Sequence, residues 1–393
     1  MAEFSPPGTT KGAGKSRSKP SGKVADFRYK KRSSQPKSRS KPSARSGGSE
    51  PSDFRVKPHT RNSGRPGPRQ AYAALDLGTN NCRLLIARPS GENFTVIDAF
   101  SRVVKLGENL ATSGKLSDAA MDRTLDALKV CSDKLRRRNV HLARSVATEA
   151  CRRASNGADF IERVRQETGI MLDIISAEEE ARLAVLGCHI LLEHGTGPAV
   201  IFDIGGGSTE LVLLEQGGEP IPRILDWLSV PWGVVSLTDT VARSGNSDED
   251  RLARYTEMRR VVLESLQPFA DRIRDEAKAD DIRLLGTSGT VTTLASLHLE
   301  LPHYDRKAVD GLIVPSKAMR DISERLSHMS RSERGELPCI GQDRSELVVA
   351  GCAILESILD IWPAAKLGVA DRGIREGILR SLMAIPPKSE KSA

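Results

Sequence analysis

The chain has only six cysteines, at positions 82, 131, 151, 188, 339 and 352, and none form a C-x-x-C pair. That scatter argues against a zinc site and against a disulfide framework. Long apolar runs are also missing. No apolar run approaches 18 residues without a charge, and no charged-then-apolar signal sequence opens the chain. These absences predict a soluble, cytoplasmic protein of a reducing compartment, with no membrane partner. Aromatic residues make up only 4%, but a hydrophobic content of 38% still permits a real core. At 393 residues the chain has room for two or three domains of about 100–200 residues each.

The first 70 residues are short of acids and aliphatics. They hold 18 Lys and Arg against four Asp and Glu, a net of +14, whereas the remainder carries a net of −6. The overall +8 therefore belongs to this segment and not to the folded part. A stretch such as "KGAGKSRSKPSGKVADFRYKKRSSQPKSRSKPSARSGGSE" cannot bury enough apolar area to offset its chain entropy, so it is expected to be a disordered tail. It reads as a spacer, or as an arm for RNA, DNA or another polyanion, whose bound counterions such cations release. Its Pro and Gly content opposes the amphipathic helix of a transit peptide. "GAGKS" at Gly12–Ser16 imitates a phosphate-binding P-loop, but Thr9 stands where the first glycine belongs and no strand precedes it.

The informative part is a repeat. "AYAALDLGTNNCRLLIARPSGENFTVIDAF" (71–100) reads as strand, glycine turn, strand, hairpin, strand. "GPAVIFDIGGGSTELVLLEQGGEPIPRILDW" (197–227) follows the same plan, which indicates a duplicated domain. Glycine at such a turn lets backbone N–H groups converge with no Cβ in the way, and a nest of this kind binds phosphate. An aspartate ends the first strand of each copy, Asp76 and Asp203, and a carboxylate beside an anion site usually means a divalent metal between them. For one glycine run alone, a bulged hairpin would be the plain alternative.

A third stretch, "IRLLGTSGTVTTLASL" (282–297), is a strand running through Gly286 and Ser288 into a helix. It offers either another anion-binding helix N-terminus or simple Ser/Thr capping. Between the repeats, a helix is predicted over 116–140 with Ser117 as N-cap, then a strand at "ARSVAT" and another at 171–176. "AEEEARLAVLGCHILLEHG" follows. Its three glutamates suit the positive end of a helix dipole, and one of them could be the general base that water attack on phosphate requires.

Taken together, "ALDLGTNNCRLLIA", "RVVKLGENL", "VATEACRRA", "ISAEEEARL", "FDIGGGSTELV", "GTSGTVTTLA" and "LGVADRGIREGIL" resemble the exopolyphosphatase/guanosine pentaphosphate phosphohydrolase (Ppx/GppA) family of the actin-like ATPase superfamily. The stretches run in family order over about residues 71–385. Single motifs are shared with sugar kinases and actin-like ATPases, whereas "EEARL" followed by "DIGGGSTE" is far more specific.

The resemblance implies an α/β fold of two duplicated actin-like (RNase H-like) domains with an active-site cleft between them. The expected boundaries are a tail at 1–70, domain I at 71–193 and domain II at 194–385, with the C-terminal helix packing back on domain I. It implies Glu180 as catalytic base. Thr79, Asn80, Gly205, Gly206, Gly207 and Ser208 are implied as phosphate loops, and the hydroxyl–glycine stretch with Ser288, read from the residues themselves, is expected to complete the pocket. Asp76, Asp203 and Glu210 are implied to hold Mg²⁺ or Mn²⁺ or to position water. Arg152 is implied to grip substrate phosphate, with Arg102 as a weaker candidate. Expected substrates are inorganic polyphosphate or guanosine pentaphosphate (pppGpp), with a homodimer left open. The alternatives are an ATP-dependent actin-like kinase or ATPase, and a non-catalytic polyphosphate or alarmone binder. The usual first loop reads D-L-G-S-N-S; here Thr79 keeps a hydroxyl, but Asn81 replaces a small one. Longer members add a helical domain that extends the substrate channel, and the basic tail is not a family feature.

Overall fold

The computed structural model describes residues 70–384, apart from 92, 194, 196, 216–220, 244 and 278–281. The expected disordered tail lies outside the described residues. β1 (Ala71–Leu77) is buried along most of its length. It returns antiparallel as β2 (Asn81–Ser90), which pairs with β3 (Asn93–Val103). α1 (Leu110–Ser113) and α2 (Asp118–Arg137) follow, α2 starting where the Ser117 hydroxyl accepts from the Ala120 amide. β4 (Val140–Ala147) then runs parallel to β1 on its free side. α3 (Glu149–Arg153) and α4 (Gly157–Thr168) lead to β5 (Leu172–Ile174), parallel to β4, and α5 (Ala177–Cys188) follows.

The plan then begins again with β6 (Ala199–Ile204), β7 (Thr209–Glu215), β8 (Arg223–Val230), α6 (Val234–Thr240) and α7 (Asp248–Arg272). β9 (Arg283–Thr287), α8 (Gly289–His298), α9 (Arg306–Val309) and β10 (Ile313–Pro315) come next. α10 (Ser316–His328), α11 (Arg331–Glu336), α12 (Gly341–Arg344) and α13 (Leu347–Ile361) form the helical part of this half. β11 (Lys366–Ala370) and α14 (Ile374–Met383) complete it.

The sheet orders are β3-β2-β1-β4-β5 and, read the same way, β8-β7-β6-β9-β11 with β10 added at the edge. Each has two antiparallel pairs on one side of its central strand and two parallel pairs on the other, and β10 adds an antiparallel pair with β11. This is a duplicated α/β architecture, as the repeat predicts, and it agrees with the two-domain actin-like fold that the resemblance implies. Each sheet has its own core. Leu75, Leu77, Leu84 and Ile86 pack with Leu125, Leu128 and Phe160 in the first. Phe202, Leu211 and Leu213 pack with Met258, Val262 and Ile354 in the second. Each such side chain, fully buried, contributes about 1.5–3 kcal/mol.

One helix joins the halves. Leu183 and Ala184 of α5 pack with Tyr72, Ala74 and Leu85 of the first sheet and with Ile378 and Leu379 of α14. Ala181, Val185 and Cys188 of the same helix pack against Ile201, Val212 and Leu214 of the second sheet. α5 and α14 approach backbone to backbone. A Cβ on Gly187 would stand 2.0 Å from the Gly373 carbonyl oxygen, and one on Gly377 would stand 2.0 Å from that of Leu183. Among the described residues no helix is long and apolar enough to cross a membrane.

In an exposed helix Gly→Ala stabilises by up to about 1 kcal/mol. At Gly377 the sign should reverse, because the added methyl must push α14 off α5. Gly377→Ala is expected to cost about 1–3 kcal/mol in urea unfolding. A stabilised variant would show that the helix crossing does not depend on this contact.

Candidate active site

The loops after β1 and β6 face each other. In the first, the Thr79 carbonyl accepts from the Gly107 amide at 2.9 Å, and that of Asn80 from the amides of Val104 and Lys105 at 2.9 and 3.1 Å. In the second, the Gly205 carbonyl accepts from the Val234 amide at 3.0 Å, and that of Gly206 from Val235 at 2.8 Å. The Ser236 hydroxyl donates to the Gly207 carbonyl at 2.9 Å. In both copies the segment after the third strand returns to hold the loop's carbonyls from behind. In both a glycine stands at the closest approach, although only the Gly107 amide itself bonds the loop; that of Gly233 donates to the Ser236 hydroxyl at 2.8 Å. A Cβ on Gly107 would fall 2.3 Å from Thr79 Cγ2, and one on Gly233 would fall 2.4 Å from the Gly206 carbonyl carbon.

The three consecutive glycines serve different needs. Gly205 closes the turn, its amide donating to the Ser208 carbonyl at 2.9 Å. Gly206 and Gly207 allow the opposite loop to approach. A Cβ on Gly206 would lie 3.0 Å from Thr79 Cβ and 3.2 Å from the Asn80 nitrogen; one on Gly207 would lie 2.6 Å from Thr79 Oγ1 and 2.9 Å from Glu149 Cγ. None of the three has a positive φ, so closeness rather than left-handed backbone demands glycine here.

The cleft so formed has a volume of about 140 Å³. Its wall includes Asp76, Asp203, Glu210 and Glu180, the two loops, and Ser288 at the start of α8. Of the three glutamates opening α5, Glu178 is exposed, Glu179 pairs with Arg144 and Arg182, and Glu180 is buried and lines the cleft. Ser288 has φ 149°, a conformation few side-chain-bearing residues adopt, and its hydroxyl caps α8 at the Val291 amide.

Enclosure of four carboxylates has an electrostatic consequence. Burial pushes the Asp76 carboxyl up. Burial and then the charge of Glu210 push Asp203 to about 8. The same two causes raise Glu180 well above the ordinary carboxylate range, and burial raises Glu210 although Ser208 and Ser229 donate to its Oε1 at 2.7 and 2.9 Å. Asp76 and Asp203 are half-buried and line the cleft. Arg83 is the main cation opposing the Asp76 and Asp203 charges. Arg152 opposes that of Glu180, its Nη1 donating to Glu180 Oε2 at 3.0 Å.

The structure thus brings together Asp76, Thr79, Asn80, Glu180, Asp203, the glycines 205–207, Ser208, Glu210 and Ser288. Two expected phosphate grips do not join this wall. Arg102 lies over the Phe100 ring, 5.3 Å from its centroid. The Arg152 fork is already engaged by Glu149 Oε2 at 2.6 Å, by Glu180 and by the Ile175 carbonyl at 2.8 Å, so here it orients carboxylates. The Ser208 hydroxyl is likewise spent on Glu210. Residues that the sequence reading missed are Arg83, Glu149, Thr290 and Arg344 in the wall, and the bracing Gly107 and Gly233. Arg83 was findable: it stands seven residues after Asp76, as Glu210 does after Asp203, and each faces its aspartate across a strand pair.

The donor set suits a hard divalent cation. It offers crowded carboxylates whose charge is poorly compensated, and a buried Asn80 Oδ1 with no hydrogen-bond partner. Among the described residues no three His, Cys, Asp or Glu side chains enclose an ion by themselves. Such an ion would complete its shell with water and phosphate oxygens, as Mg²⁺ commonly does.

Residues 85–385 match the Ppx/GppA phosphatase family. The exopolyphosphatase 2 of Mycobacterium tuberculosis is 31% identical over 324 residues, which is 79% of this chain and 98% of that protein. The Aquifex aeolicus member of the Ppx/GppA family superposes with a TM-score of 0.63 at 28% identity, over 80% of this chain and 97% of that one. An exopolyphosphatase from Cytophaga hutchinsonii gives a TM-score of 0.69 at 25% identity, over 80% and 98%. The chain belongs to the Ppx/GppA phosphatase family.

Proposed function

We propose that this chain is a phosphoanhydride hydrolase that removes the terminal phosphate of inorganic polyphosphate or the 5′-terminal phosphate of pppGpp. The observation that carries the reading is the placement of buried Glu180 beside two facing glycine loops braced from behind. The loop amides take the terminal phosphate oxygens. Glu180 accepts the proton of a water as its oxygen bonds to phosphorus, and the bridging P–O bond breaks toward the shortened chain. Burial strengthens Glu180 as a base, while Arg152 keeps it oriented and ionised enough to act. Asp76, Asp203 and Glu210 would hold the Mg²⁺ or Mn²⁺, which supplies charge neutralisation at the phosphate oxygens. A colorimetric phosphate assay with Mg²⁺, offering polyphosphate, pppGpp and ATP in parallel, tests the reading. Release from ATP alone would favour an actin-like ATPase.

Glu180→Gln should keep phosphate-chain binding and lose about 10²–10⁴-fold in turnover. If Glu178→Gln or Glu179→Gln is the damaging change instead, the base has been misplaced.

Gly233→Ala should displace the second loop from behind without filling the cleft. The expected result is a folded protein, by circular dichroism, with KM for phosphate chains raised at least about tenfold. Normal KM would mean that the brace does not set the loop.

The basic segment 1–69 should add capture of long polyanions and nothing to the chemistry. Its removal should raise KM for long polyphosphate at low salt, with little change for pppGpp, and the difference should fade as salt rises. Equal KM values at low salt would reduce the segment to a spacer.

A further inference from the structure

Beyond the cleft wall, arginines gather where α6, α7, α11 and α12 meet. Arg243 Nη2 donates to Glu346 Oε1 at 2.7 Å, and Arg331 Nη1 reaches Oε2 of the same carboxylate at 3.2 Å. Behind them Arg254 is engaged by the carbonyls of Val241 and Thr238, both at 2.8 Å. Arg334 is engaged by the carbonyls of Ser345, Leu326 and Met329. Carbonyls satisfy donors without neutralising charge, so these guanidinia share essentially one ion-paired carboxylate. Two further acids lie nearby: Asp239 accepts from the Asn109 amide at 3.0 Å, and Glu333, which accepts from the Ser330 amide at 2.6 Å, faces Arg251 and Arg334. The crowding is visible in the arginines themselves. Burial and then Arg243 push Arg254 down, and burial with Arg243 and Arg251 brings Arg334 to about 10.

This group adjoins the cleft wall through the chain that carries it. Glu346 stands between Arg344 and Leu347, both of which line the cleft, as does Val234 of α6. Arg344 Nη1 lies 3.4 Å from Thr293 Oγ1, another wall residue. The side chains of Arg243 and Arg331 are 39% and 55% exposed, so a ligand can reach them. Two exposed guanidinia therefore share a single carboxylate next to a third guanidinium in the cleft wall.

We propose that Arg243, Arg331 and Arg344 form a subsite for the phosphates of a linear inorganic polyphosphate chain that lie beyond its reacting end. The proposal rests on the hydrolase reading of the cleft. A cleft of about 140 Å³ encloses only the end of a long chain, so the following phosphates must run along its rim. Guanidinium forks match phosphate oxygens two at a time, and here their charge is in excess. A single-stranded nucleic acid fits less well, because such strands are held by stacking on aromatic rings. No aromatic residue is among the described residues lining the cleft.

The test is binding of a long polyphosphate and of tripolyphosphate to the full chain, carried in the Glu180→Gln background so that the ligand persists. In the double variant Arg243→Ala/Arg331→Ala, Kd for the long chain should rise about tenfold at low salt, and its salt slope should fall by about 2, one for each arginine. Kd for tripolyphosphate should change less than about twofold. Glu346→Gln should do the reverse and tighten long-chain binding, an outcome misfolding cannot imitate. Unchanged long-chain Kd, equal loss for both ligands, or a larger loss for a single-stranded RNA probe would each overturn the subsite. A wild-type chain that binds long polyphosphate but releases no phosphate would defeat the hydrolase reading and leave the subsite standing. Normal hydrolysis with an unchanged long-chain Kd would sink the subsite alone.

Discussion

The geometry of the cleft depends on a contact far less polar than the cleft itself: the backbone crossing of α5 and α14. A helix carrying ordinary side chains keeps its neighbour's axis about 8–10 Å away. Gly187 and Gly377 remove that spacing, because their missing Cβ positions are filled by the carbonyls of Gly373 and Leu183. The gain is registration. α5 is wedged between both sheets, and Glu180 sits in its first turn, so any shift of the crossing carries the carboxylate with it. Its place beside two loops from different sheets thus follows from packing about two helical turns away.

The second constraint is electrostatic and opposes the first. Packing that tight takes four carboxylates largely out of water, and each raises the cost of ionising the next. The chain meets this in three ways. Arg83 and Arg152 supply positive charge, the Ser208 and Ser229 hydroxyls bond Glu210, and the remaining imbalance is left for the divalent cation of the proposed function. An apolar replacement of any one carboxylate would relieve repulsion, so their retention in so small a space is hard to explain by folding alone.

The sequence made the strands, the duplication and the two loops legible because their signals are local. An apolar run, an acid and glycines within ten residues carry a strand, its end and its turn together. Glu180 was legible through the motif around it, although three adjacent glutamates look alike in sequence; burial alone separates them. The contacts of Arg152 were not legible, since a phosphate grip and a carboxylate clamp have the same side chain and differ only in what lies 3 Å away. Gly187, Gly377, Gly107 and Gly233 also escaped notice. Each is a single glycine whose partner is distant in sequence, and nothing local distinguishes a packing glycine from a turn glycine.

Comparing the two copies explains how a duplicated fold came to hold an asymmetric site. The braces are matched in position: Gly107 and Gly233 both stand close behind equivalent loops. The aspartates are matched as well, and each faces the next strand across the same register. The residues opposite them differ. Arg83 faces Asp76 and Glu210 faces Asp203, so one half presents a compensated pair and the other a doubled negative charge. A symmetric cleft would hold a phosphate equally from both sides and favour no direction of attack. With the charge divided this way, the second half carries the uncompensated negative charge, and the first half carries the Arg83 guanidinium and, through α5, Glu180, the base we propose.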